Sequence, residues 1–150
     1  MVKNLISYIF IYVLLTGCEQ NIVGSEYDLE CEADCHININ APSLQKDENG
    51  YYHMEWLEGY SQTFTTLDAN TGINGHYRVY WDSPYGITYG GEFVSCVNPA
   101  SYTGDDGTAH TVMAVWESMI NDTITVYSGY IDWCNNQHID SLKVIVDNFN

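Results

Sequence analysis

The chain has 150 residues, four of them Lys or Arg and twenty Asp or Glu, which gives a formal charge of −16 near neutrality. Bases this scarce exclude nucleic-acid binding and polybasic docking on anionic lipid, because both need clustered Lys and Arg. With 45% hydrophobic and 14% aromatic residues the chain can still bury a core, and its length predicts one domain.

The first segment is a leader. Met1 to Asn4 hold Lys3 and no acid, and Leu5 to Leu15 form an uninterrupted run of apolar, Tyr and Ser residues. That run is too short to cross a bilayer, which takes ~20 apolar residues, but suits the core of a secretion signal. Leu15-Thr16-Gly17-Cys18 resembles the lipobox of bacterial lipoproteins. The resemblance implies cleavage before Cys18, acylation of its sulfur, and a mature chain held in the bacterial cell envelope, with the outer membrane as the expected site. Several acyl chains at ~0.8 kcal/mol per buried methylene make a stable anchor. Lys3 leaves with the leader, so Lys46, Arg78 and Lys143 face all twenty acids in the mature chain. Residues 19–35 are polar and acidic and predict a tether, with the folded domain over 36–150.

Cys31, Cys35, Cys96 and Cys134 remain, an even number in a chain bound for an oxidising compartment, so two disulfides are expected. Four cysteines allow three pairings. Proximity favours Cys31 with Cys35, which leaves Cys96 with Cys134. A metal site on Cys31, Cys35 and His36 is the weaker alternative, since the second ligand pair of a zinc site is missing.

From Ile37 onward the apolar pattern has period two. Ile37, Ile39 and Ala41 alternate with Asn38 and Asn40, and Tyr52, Met54 and Trp56 with His53 and Glu55, after the turn signal Asn49-Gly50. Thr63 to Leu67 continues the series. Tyr77, Val79 and Trp81 alternate with Arg78 and Tyr80, and Asp82-Ser83-Pro84-Tyr85-Gly86 closes that strand. Ile87 to Tyr89, the Gly90-Gly91 break and Glu92 to Val97 follow, then a polar loop from Asn98 to Thr108. Val112, Ala114 and Trp116 alternate with Met113 and Val115; Asn121-Asp122 turns the chain into Thr123 to Tyr130; Leu142, Val144 and Val146 mark the last strand. About eight short strands with no helical period predict an all-β antiparallel sandwich, with a small barrel as runner-up.

Four stretches between Ser61 and Tyr130 resemble the bacterial immunoglobulin-like domains of invasin and intimin type surface proteins: Thr65 to Ala69, Tyr77 to Trp81, Tyr102 to Ala109 and Asp122 to Val126. The resemblance implies an immunoglobulin-like sandwich used for display or adhesion, without catalytic residues. The segment Ile37 to Trp56, the cysteines and the last strand depart from the pattern.

No constellation argues for catalysis or a cofactor. Asp105 and Asp106 could offer carboxylates to calcium, but the EF-hand spacing is missing and an Asx turn explains Asp-Gly. Ser101, His110 and the two Asp residues can be grouped on paper, yet no nucleophile-elbow motif supports them. Asn121-Asp122-Thr123 fits a turn better than a glycosylation site. Tyr51, Tyr52, Trp56, Tyr60, Tyr80, Tyr85, Tyr89 and Tyr102 include outward or loop positions that could stack on sugars or anchor a protein partner. The expected function is a lipid-anchored display or adhesion module; a glycan- or solute-binding lipoprotein, with or without calcium, is the alternative.

Overall fold

The structure is a computed structural model that describes residues 36–73, 75–132 and 135–148. The period-two segments become eleven strands: β1 (Asn38–Asn40), β2 (Gln45–Lys46), β3 (Tyr52–Trp56), β4 (Thr63–Asn70), β5 (Arg78–Asp82), β6 (Gly86–Tyr89), β7 (Glu92–Ser95), β8 (Ala100–Tyr102), β9 (Thr108–Val115), β10 (Thr123–Ile131) and β11 (Gln137–Asn148). A single 3-10 turn, Glu117–Met119, is the one helical piece among the described residues.

One sheet runs β1-β4-β9 and the other β2-β3-β11-β10-β5-β8, while β6 and β7 form a hairpin of their own. Neighbours pair antiparallel except β3 and β11, which are parallel with Val144 beside Tyr52 and Val146 beside Met54. Placing β4 and β9 in one sheet and β5, β10 and β11 in the other is the connectivity of an immunoglobulin-type sandwich, and Trp81 sits buried on the strand that carries the core Trp in such folds. β2 and β8 are the strands that the sequence reading does not contain, being too short to show alternation; β8 lies inside the stretch expected to be a polar loop.

Every second residue of the long strands points inward. Leu67 and Ala69 of β4 and Met113 and Val115 of β9 meet Val79 and Trp81 of β5, Ile124, Val126 and Tyr130 of β10, and Leu142, Val144 and Val146 of β11 in one buried cluster. Tyr52 and Trp56, which alternate with His53 and Glu55 in step with Met54, belong to this core because they share the inner face of β3 with Met54, so they drop out of the candidate surface aromatics. Asp140 reaches from β11 to accept the backbone N–H of Ile39 at 2.9 Å, which ties the edge strand of one sheet to the other. At the β8–β9 turn Gly107 has φ +74, and a Cβ there would stand 2.7 Å from the Ile73 carbonyl oxygen, so glycine is required on both counts.

Among the described residues Cys96 is a free thiol, buried against Ser83, and burial raises its pKa; Cys134, its expected partner, lies outside the described residues. Cys18, Cys31, Cys35 and Cys134, with the leader and tether, lie outside the described residues.

Candidate functional site

The outer face of the six-stranded sheet groups several exposed apolar side chains. Tyr80 projects from β5, Tyr127 and Ile131 from β10 and Ile139 from β11, with exposures of 49%, 45%, 53% and 60%. The register explains their grouping: Gly129 pairs with Tyr80 on one side and Ile139 on the other, and Tyr127 pairs with Asp82. Gly129 has no side chain, so the centre of the patch is a notch walled by its neighbours. The result is an open groove of ≈ 310 Å³, bordered also by Gln137 and Asp82. The notch has little room to close, because a Cβ on Gly129 would stand 2.8 Å from the His138 carbonyl oxygen. Arg78 lies over the Tyr80 ring with its Cζ 4.9 Å from the ring centre. Chemically the groove offers largely apolar and aromatic walls with one carboxylate, a combination suited to binding.

A polar cleft lies elsewhere on the same sheet, lined by Ser43, Leu44, Gln45, His53, Glu55 and Asp147. His53 on β3 sets Nδ1 2.8 Å from Asp147 of β11 and Nε2 3.5 Å from Asp47 of the β2–β3 loop. The hydrogen bond with Asp147, aided by Asp47, raises the His53 pKa above its usual value. Asp47 is lowered, chiefly by accepting the Tyr51 N–H at 2.7 Å. The Ser43 hydroxyl is paired with Thr65 at 2.8 Å, so this Ser, His and Asp do not form a relay: both ring nitrogens of His53 face carboxylates and neither faces a nucleophile.

At the β10–β11 turn, buried Asp132 takes the Asn136 N–H at 2.8 Å and pairs with His138 Nε2 at 2.9 Å, while the His138 ring stacks on Tyr130 with centroids 4.9 Å apart. Tyr130 in turn donates to the His36 carbonyl at 3.3 Å. These bonds hold the turn shut beside the groove.

The residues singled out in the sequence scatter. Asp106 spends its carboxylate on the Thr108 N–H at 3.0 Å, a bond that lowers its pKa, and Asp105 stands exposed beside it. Among the described residues no three His, Cys, Asp or Glu side chains are placed to hold a metal. His110 pairs with Asp68 at 2.7 Å, and the Ser101 hydroxyl accepts the Trp81 Nε1–H at 2.8 Å, so Ser101 and His110 are each committed elsewhere. Of the candidate surface aromatics, Tyr60, Tyr80, Tyr89 and Tyr102 are exposed, Tyr51 and Tyr85 are half-buried, and Tyr80 lines the groove. Tyr127, Gly129, Ile131 and Ile139 were missed by sequence reading. Their signal is an apolar residue on the solvent side of a strand whose core side is already filled.

No family model matches the chain, and a search of curated proteins returns no match.

Proposed function

We propose that this chain is a lipid-anchored, extracytoplasmic sandwich that serves the bacterial cell envelope as a display or adhesion module, without chemistry of its own. The observation that carries the reading is the apolar outer face of β5, β10 and β11, where Tyr80, Tyr127, Ile131 and Ile139 stand open around Gly129. A grouped apolar patch of this kind marks a docking surface, whereas isolated exposed apolar residues do not. The lipobox ending at Cys18 supplies the anchor and residues 19–35 the tether. The resemblance to invasin and intimin type domains points the same way.

Metabolic labelling with a radioactive or clickable fatty acid tests the anchor, and protease shaving of intact cells tests the exposure. Wild-type protein should take up label and the Cys18→Ser variant should not; digestion without lysis places the domain on the cell surface, and protection until lysis places it in the periplasm. Unlabelled wild-type protein overturns the anchoring. A glycan- or solute-binding lipoprotein is the second reading, favoured by the two tyrosines that flank the Gly129 notch.

A further inference from the structure

Three observations identify what the groove prefers. The first is where the few bases of the folded domain go. Lys46 stands over Tyr52 at 5.1 Å, Arg78 over Tyr80 at 4.9 Å and Lys143 over Tyr51 at 5.4 Å, so each rests on a tyrosine face. The ion pairs among the described residues are all His with Asp. Tyrosine faces on this sheet are therefore working cation contacts, and the surface acids have no Lys or Arg of their own to satisfy them.

The second is the groove's make-up. Its walls are apolar, its one charged lining residue is Asp82, and no Lys or Arg lines it. Asp82 is exposed on β5 directly across from Tyr127 on β10, at the distance of a cross-strand pair. An aromatic face and a carboxylate thus stand side by side at one end of an apolar notch. The third is charge: twenty acids against four bases repel a second copy of the chain and any polyanion, and steer cations toward the domain.

Resting on the adhesion reading, we propose that the groove receives a basic side chain, Lys or Arg, presented by a partner protein. Its aliphatic stem lies over Gly129 between Tyr80 and Ile139, and its charged head meets the Tyr127 ring and the Asp82 carboxylate. A long cationic side chain has just this division into an apolar stem and a hydrated head.

The test is an NMR titration of the 15N-labelled protein with three capped tripeptides, acetyl-Gly-X-Gly-amide, in which X is Lys, norleucine or Glu. The Lys peptide should shift the amides of Tyr80, Tyr127, Gly129 and Ile139. Norleucine, with the stem and no charge, should bind more weakly, and Glu should leave those amides in place. Asp82→Asn should weaken the Lys peptide about fivefold. Asp105→Asn, on the β8–β9 turn and outside the groove, should leave it unchanged. Equal weakening by both variants, or shifts spread over the acidic surface, overturns the proposal in favour of diffuse attraction. Stronger shifts at Gly129 with maltohexaose than with the Lys peptide overturn the ligand class and leave the groove a binding face. Failure of the display reading would register separately, as loss of fatty-acid label and of envelope association.

Discussion

The two outer faces of the sandwich are built from strands of the same kind, yet water meets them differently. On the three-stranded sheet the outward positions are largely polar: Asn38 and Asn40 on β1, Thr66, Asp68 and Asn70 on β4, and His110 on β9, with His110 paired to Asp68. Phe64 and Val112 are its exposed apolar residues. On the six-stranded sheet the outward positions of β5, β10 and β11 gather Tyr80, Tyr127, Ile131 and Ile139 around a glycine. Period-two patterning requires apolar residues only on the inner side, so the apolar residues grouped on the outer side are not ones that filling the core demands.

The comparison breaks first at the core beneath both faces. Leu67 is fully buried on β4, and Leu67→Ala should cost about 2–5 kcal/mol in denaturant unfolding, far more than any outer-face change. A loss below about 1 kcal/mol would mean that the two sheets are not sealed against each other there. Next comes the notch itself. Gly129→Val puts a branched side chain against the His138 carbonyl and fills the groove, so it should cost about 1–3 kcal/mol and abolish shifts with the Lys peptide. The matched pair Tyr80→Ala and Phe64→Ala sharpens the contrast. Both should change stability by less than about 1 kcal/mol, but only Tyr80→Ala should weaken peptide binding, as read by the same titration. Equal binding by the two variants would erase the distinction between the faces.

A smaller effect concerns the clasp of His53 on β3. Its folded pKa is raised by Asp147 and Asp47, so protonated His53 is favoured in the folded state. The stabilisation is fully present below the ordinary His pKa of about 6.5 and is lost as pH rises through the higher folded value. Asp47 works in the opposite sense: its lowered pKa gives stability that disappears as pH falls into the acid range. The melting temperature of wild type relative to His53→Gln should therefore be greatest near pH 5–6 and converge toward pH 8. A difference independent of pH would assign His53 a packing role only.

Strand segments were legible because burial on one side forces alternation, as with Tyr52-His53-Met54 and Tyr77 to Trp81. The side each aromatic takes was legible only where the whole strand was followed: Tyr52 and Trp56 fall on the inner face by their spacing from Met54, and no feature of tyrosine or tryptophan alone says so. The groove was hidden for a different reason. Tyr80, Gly129 and Ile139 come from three strands, and their meeting depends on the β5-β10-β11 register, which alternation within one strand does not encode.

The smallest expected change lies directly beneath the groove. Ser128 follows Tyr127 on β10 and points inward beside Trp81, its cross-strand partner. Its hydroxyl oxygen is buried without a hydrogen-bond partner among the described residues. A buried hydroxyl left unpaired loses its water and gains nothing in exchange, while alanine at the same place removes that cost along with one oxygen's packing contacts. Ser128→Ala should accordingly shift stability by less than about 1 kcal/mol, in the stabilising direction, as read from the denaturant midpoint. Because its side chain faces the core and the groove faces solvent, the variant should bind the Lys peptide as wild type does. A clear destabilisation would reveal a water or side chain satisfying that oxygen; a change in binding would show that the groove floor moves with the core beneath it.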